Sequence, residues 1–362
     1  MAEPFKDFIN PTAVRRLADQ IQGGTPSFPA DAFTAAATPG LAPLELKGRV
    51  RHVAVALRAH LPAPWPEALS VLRAGMGPAL PGTDSLSVGF YLWPMLQVVE
   101  DFGLEHPALS MDVLHEMTRR FSAEFAVRPY LARHPEVAWP LMTAWASHED
   151  VHVRRLASEG SRPRLPWGIR LRDTTARGLV IIERLKDDPE KYVQKSVANH
   201  LNDISREDTA VALATARRWS VGAGPGRTWV VRHALRSLLK AGNPDALALM
   251  GFGPPDVVVS GLALSADAVA IGQAVTVTAT ITARSAQALM VDVSLGMQRK
   301  RGVSHKVFKA GQRRLAAGES WAWSHKLSMR PVTTRKYYPG AHSVSVQING
   351  QPHGTVNFSL TV

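Results

Sequence analysis

Through the first two thirds of the chain, apolar residues recur at three- and four-residue spacing. That spacing predicts helix after helix with short breaks between them. The periodic stretches fall at 13–22, 46–60, 66–74, 88–101 and 109–121. The texture changes at Gly253-Pro254-Pro255. Beyond it, β-branched residues alternate with small polar ones: residues 275–281 read VTVTATI, 290–295 continue the style, and 343–348 (SVSVQI) run into Asn349-Gly350. An Asn-Gly pair after an alternating run is a strong hairpin-turn signal. A last strand is expected over 355–362. About seven short strands in roughly a hundred residues predict an immunoglobulin-like sandwich. The expected architecture is therefore mainly α, with a helical domain over 1–253 followed by an all-β sandwich over 256–362.

The helical part carries a repeat. Residues 153–157 (VRRLA), 193–197 (VQKSV) and 231–235 (VRHAL) align at offsets of 40 and 38 residues. Paired helices at a period near 40 predict HEAT-type repeats stacked into an α-solenoid. In that register Arg155, Lys195 and His233 are equivalent, as are Glu159, Asn199 and Ser237. Positions i and i+4 share a helix face, so Arg155 lies above Glu159, and Lys195, Asn199 and Asp203 form one stripe. Stacked repeats bury apolar faces, and these polar positions are expected to form an exposed ledge on the concave side. An ordinary solvated helix face is the alternative.

Charge narrows the choice of partner. The 362 residues carry a formal net charge of +12, and the sequence pI is near 10.3. Such a balance favours a polyanion, because each Lys or Arg that neutralises a phosphate releases counterions. From Asp256 onward there are 12 basic and 4 acidic residues, so this region supplies +8 of the +12. The run from Arg299 to Arg314, with Arg299, Lys300, Arg301, Arg313 and Arg314, is expected to form a phosphate-binding hairpin tip or loop. Cysteine is absent, which excludes disulfides and thiolate chemistry. No apolar stretch reaches membrane-span length and the start lacks a signal-peptide core, so a cytoplasmic protein is expected.

The densest motif spans Arg155 to Trp167. A helix is expected to end at Gly160, followed by a loop stiffened by Pro163 and Pro166. That loop would hold Trp167 in place and let Arg162 and Arg164 reach phosphates. Three other patterns carry less. His148-Glu149-Asp150-Val151-His152 matches H-E-x-x-H, but Ser147 and Asp150 read as a capping box at a helix start, and no third ligand is evident. The glycines at 222, 224 and 226 precede a helix that could hold a phosphate, or are simply a flexible loop. Lys195 reads as a backbone contact rather than a Schiff-base nucleophile.

Four segments carry a resemblance: residues 2–6 (AEPFK), 44–51 (LELKGRVR), 158–167 (SEGSRPRLPW) and 193–203 (VQKSVANHLND). The chain resembles the AlkC family of bacterial DNA alkylation repair glycosylases, whose members use HEAT-like repeats and in some cases end in an immunoglobulin-like domain. The resemblance implies hydrolysis of the N-glycosidic bond of cationic lesions such as 3-methyladenine and 3-methylcytosine in duplex DNA. It further implies no base flipping and no strand cleavage; neither a cofactor nor a metal is expected. A cationic base leaves readily, so the oxocarbenium-like sugar is what needs stabilising, and carboxylates can do that. Glu159 lies in the motif and is the first candidate, followed by Glu124 and Asp203. Trp167 would pack against the deoxyribose or lesion. Arg155 would hold Glu159 ionised or contact DNA, and Lys195 and Asn199 would face the duplex. The basic sandwich would complete the grip of a monomer on alkylated DNA. A non-enzymatic nucleic-acid scaffold is the competing reading.

Overall fold

The computed structural model describes residues 4–83, 86–332 and 336–362. Ala2 and Glu3 of the opening segment, and Arg335 of the basic set, lie outside the described residues. The chain forms two compact units, one comprising residues up to 212 with 218–234, the other 213–217 with 235–362.

A short 3₁₀ helix at Phe5–Phe8 opens the chain. It is followed by α1 (Pro11–Gly24), α2 (Ala30–Ala37), α3 (Leu46–Ala59) and α4 (Trp65–Ala74). A second 3₁₀ segment, Leu86–Leu92, leads into α5 (Trp93–Phe102) and α6 (Pro107–Met117). Then come α7 (Val127–Arg133), α8 (Pro135–Trp145), α9 (Val151–Gly160) and α10 (Thr175–Leu185). The series ends with α11 (Lys191–Ile204), α12 (Thr209–Ser220), α13 (Pro225–Ala234), α14 (Arg236–Lys240) and α15 (Pro244–Leu249). No helix among the described residues is long and apolar enough to cross a membrane.

Local chemistry sets the boundaries. Proline opens α1, α6, α8, α13 and α15, a position where its missing N–H costs no helical hydrogen bond. Asn10, Asp150, Asp208 and Asn243 cap their helices through side-chain oxygens, satisfying first-turn N–H groups that have no partner within the helix. The helix expected over 88–101 is split, because a 3₁₀ turn runs to Leu92 and a new helix starts with Pro94 in its first turn. The one expected over 109–121 starts two residues earlier and ends at Met117. The three aligned segments fall on α9, α11 and α13, with α10 and α12 between them, and α11 packs against both α9 and α13.

In the second unit, strands β1 (Val257–Leu264), β3 (Ala274–Ala283) and β6 (Ser320–Ser328) form one sheet in the order β1-β3-β6. The other sheet has the order β2-β8-β7-β4-β5, from β2 (Ala268–Ala270), β4 (Gln287–Gln298), β5 (Val303–Leu315), β7 (Gly340–Ile348) and β8 (Gln351–Thr361). Alternate residues of both sheets, among them Val275, Val277, Ile281, Leu295, Trp323, Val344 and Val346, share one core. Asn349 (φ 45°) and Gly350 (φ 79°) make the left-handed two-residue turn between β7 and β8, whose backbone twist matches that of paired strands. Asn349 is also buried: its Oδ1 accepts from Met290 N at 2.7 Å and its Nδ2 donates to Gly253 O at 2.8 Å. The Arg299–Arg314 run corrects its expectation. Only residues up to Gly302 turn, and Val303–Leu315 is the edge strand β5, paired along its length with β4.

Candidate active site

Within the first unit, a cleft of about 400 Å³ opens between the 118–125 segment, α9, the loop after it and Tyr192 of α11. Its wall is aromatic. Trp93 stacks on Phe125 at 5.3 Å between ring centres, and Phe121 packs edge-on to Phe90 at 5.2 Å. Its floor is charged. α9 carries Arg155 and Glu159 one turn apart, so both point into the cleft, and the loop after α9 returns Arg162 beneath them.

Five ionised groups alternate in sign across this floor. Arg155 pairs with Glu124, and its Nη1 also donates to Ser122 Oγ at 2.7 Å. Its Nη2 lies 3.7 Å from Glu159 Oε1, and its guanidinium sits 5.0 Å over the Tyr192 ring. Arg162 bridges Glu159 (2.6 Å) and Asp203 (2.9 Å). Ser196 Oγ donates to the other Glu159 oxygen at 2.6 Å. Three carboxylates thus share two guanidiniums as direct partners, and the buried guanidinium of Arg128 is close enough to feel all three carboxylates.

Environment separates the carboxylates. Burial by itself would raise the Glu159 carboxyl, but Arg155, Arg162 and the Ser196 hydroxyl outweigh it and hold Glu159 below the usual range. Asp203 goes the other way: burial lifts it above its ordinary value, and Arg162 only partly offsets the rise. Burial lowers Arg162, yet Glu159 and Asp203 more than compensate and keep it firmly cationic. His200 is fully buried; burial, with Arg162 nearby, drops it to about 3, so it stays neutral while its Nδ1 lies 3.0 Å from Ser158 O.

The loop after α9 is bolted in place. Arg128 of α7 is fully buried and donates to the carbonyls of Gly160 and Arg162, both at 2.8 Å, and to that of Ile169. A Cβ at Gly160 would come within 2.6 Å of Val127, and one at Gly168 within 2.9 Å of Arg128. Glycine therefore lets both ends of the loop close onto α7. Between them Trp167 is 60% exposed, with φ at 66°, an unusual backbone state for a bulky residue and one found at functional sites. Lys47 Nζ holds the Trp167 carbonyl at 2.9 Å.

Residues 120–216 match the model of the DNA alkylation repair enzyme family. Residues 258–362 match that of the C-terminal Ig-like domain of the uncharacterised protein YhaZ. The chain is 35% identical to the uncharacterized protein YhaZ of Bacillus subtilis (strain 168), across 98% of this chain and 99% of that protein. Among solved structures, it resembles the Pseudomonas fluorescens alkylpurine DNA glycosylase AlkC, bound there to DNA containing an abasic site analog. The match has a TM-score of 0.91 and 35% identity, covering 99% of this chain and 100% of that one. The chain belongs to the AlkC family of DNA alkylation repair enzymes. The AlkC-like fold of helices followed by an Ig-like domain agrees with the architecture expected from the sequence.

In this AlkC-family chain, Glu159, Glu124, Arg155, Arg162 and Trp167 all line one cleft, and Asp203 joins them through Arg162. The expectation of an exposed ledge needs correction. Glu159 is 6% exposed, Asp203 5% and Arg162 7%, because a helix-to-helix contact between α9 and α11 covers them. Arg162 is spent on two carboxylates rather than presented to a phosphate, and Arg155 is likewise committed to Glu124. Lys195 and Arg164 are exposed, and Asn199 is half-buried. The H-E-x-x-H histidines do not share a helical face, since α9 begins between them at Val151. His148 packs edge-on to His115 at 4.9 Å, and His152 to Tyr192 at 5.9 Å.

Sequence reasoning missed Arg128, Ser196, Tyr192 and Lys47. Lys47 sits in the LELKGRVR segment, so two of the matching motifs meet at the Trp167 carbonyl. That coincidence was the available signal. Arg128 left none, because an arginine inside an apolar helix looks like a surface residue.

Proposed function

We propose that this chain is a monofunctional glycosylase that removes cationic alkylated bases, such as 3-methyladenine and 3-methylcytosine, from duplex DNA. The observation that carries the reading is the pair of carboxylates, Glu124 and Glu159, that line an aromatic-walled cleft with an exposed tryptophan at its rim. The bond between C1′ and the base nitrogen breaks with its electron pair leaving on the base, which departs neutral. Positive charge then resides on the deoxyribose. Glu159, held ionised, stabilises that charge, and Glu159 or Glu124 accepts the proton of the water that adds to C1′. A positively charged leaving base needs little acid catalysis, and no general acid is assigned.

The floor's carboxylates and guanidiniums are bonded mainly to one another. They offer little to read the hydrogen-bonding edge of an extruded base, which supports recognition by charge and shape without flipping. The Lys47 amine beside the cleft is held by the Trp167 carbonyl at 2.9 Å rather than free to attack C1′, which favours hydrolysis without strand cleavage. On this reading the enzyme acts as a cytoplasmic monomer built on HEAT-like repeats, with Lys195 and Arg164 touching the backbone. Lys300, Arg301 and Arg314 of the Ig-like domain are exposed and make no ion pair among the described residues. They supply further phosphate contacts. Incubating the protein with methylated duplex DNA and identifying the bases released tests the proposal. Release of 3-methyladenine or 3-methylcytosine is expected, and binding without release would favour a nucleic-acid scaffold.

A further inference from the structure

Phe5 is 58% exposed, yet its short helix is fixed with unusual care. Arg49, itself buried, donates to the carbonyls of Lys6 (2.9 Å), Ile9 (3.1 Å), Ala42 (3.0 Å) and Leu44 (2.9 Å), and pairs with Asp7 at 3.3 Å. Lys6 is tied to Glu45 at 2.9 Å. One face of the Phe5 ring lies on Phe90, at 6.0 Å and only 7° from parallel. Its edge meets Trp167 at 6.4 Å and 76°. Phe90 and Trp167 both line the cleft. The backbone is pinned and one ring face is covered, while much of the ring remains open to solvent beside the catalytic rim. An apolar ring exposed and immobilised at once loses little entropy when it binds something flat.

We propose that Phe5 is a DNA-contact residue, whose ring stacks on the nucleobase face uncovered next to the abasic nucleotide once the base has left. The proposal rests on the glycosylase reading. In an intact duplex each base face is covered by its neighbour, so a fixed ring finds a stacking partner only where the column is interrupted. Phe5 therefore contributes to recognition of interrupted DNA rather than to general affinity, and Trp167 beside it is left for the sugar. Stacking on an aromatic side chain is worth about tenfold in affinity per base.

The test compares binding of two duplexes, one intact and one with a tetrahydrofuran abasic analogue flanked by 2-aminopurine, to wild type and to Phe5→Ala, Phe5→Leu and Phe5→Trp. Phe5→Ala and Phe5→Leu should each lose about tenfold of the preference for the interrupted duplex. Both should also lose the protein-induced change in 2-aminopurine fluorescence. Phe5→Trp should keep both. Wild-type preference in Phe5→Ala would overturn the proposal. So would full retention by Phe5→Leu, since the ring would then serve only as apolar bulk. Base release is measured in parallel. Release by wild type with unchanged selectivity in Phe5→Ala sinks the stacking role alone, whereas a wild type with neither release nor preference sinks both readings.

Discussion

Replacing Glu159 with glutamine removes one negative charge from the cleft while leaving the volume of the side chain almost unchanged. The size of the effect follows from the floor's composition. One unit charge about 5 Å from a developing positive charge, at an effective dielectric near 20, interacts by about 3 kcal/mol. That corresponds to roughly a hundredfold in rate. The fold should survive the change, because each guanidinium keeps a carboxylate of its own, Arg155 on Glu124 and Arg162 on Asp203. Some stability will still be lost. The folded protein holds the Glu159 carboxyl below its ordinary value, so its ionisation stabilises the native state above the unfolded pKa, and that contribution fades as pH falls through the folded one. The assay is single-turnover release of methylated base at saturating enzyme, with circular dichroism to establish folding. E159Q should release base about a hundredfold more slowly. A rate within about threefold of wild type would refute the electrostatic argument, that factor being well under 1 kcal/mol.

Further outcomes at Trp167, Arg128, the basic cluster of the sandwich and Asp292 follow from the same structure. Trp167→Ala should weaken binding to an abasic-analogue duplex about tenfold, measured by anisotropy; unchanged affinity would remove Trp167 from the interface. Arg128→Met leaves the carbonyls of Gly160, Arg162 and Ile169 without their donor and should cost about 3 kcal/mol or more in urea unfolding. Arg128→Lys should loosen the loop, read as increased acrylamide quenching of the signal that Trp167→Phe abolishes. The triple change K300A/R301A/R314A should flatten the salt dependence of DNA binding by a slope of about 2.7, and an unaltered slope would exclude these side chains as phosphate contacts. In the sandwich, burial lifts Asp292 to about 6, with Lys309 and Lys240 only partly offsetting it. A raised folded pKa means stability present below the unfolded value and lost as pH rises through about 6. Asp292→Asn should therefore abolish that loss and raise the melting temperature at pH 8 relative to wild type, but not at pH 4.

Much of the fold was legible because periodicity survives in a single sequence. Helical spacing located α1, α3 and α4 to within about two residues, and Asn349-Gly350 marked its turn. The split at Leu92 was not legible, since the apolar pattern runs unbroken across a change from 3₁₀ to α geometry. The Arg299–Arg314 run looked like a loop because an edge strand can be as polar as one, its exposed face having no core to cover. At the site, Glu159 and Trp167 were found through a local motif. Their surroundings were not, because Arg128, Ser196 and Tyr192 arrive from other helices, and no spacing rule connects residues that only packing brings together. The burial of Arg162 was missed for a related reason: charge read along a chain carries no sign of the partners it meets in space.

The loop from Gly160 to Ile169 takes its shape from carbonyl oxygens gripped by one buried guanidinium, and carbonyl oxygens are the same whatever side chains the loop carries. Its outward positions (Arg164, Pro166, Trp167 and Ile169) are thus decoupled from what sets its path. Substitutions there can alter what the cleft's rim favours without dismantling the charged floor beneath it. A library varied at these four positions, with Arg128, Gly160 and Gly168 kept, is the natural place to evolve a changed appetite for lesions.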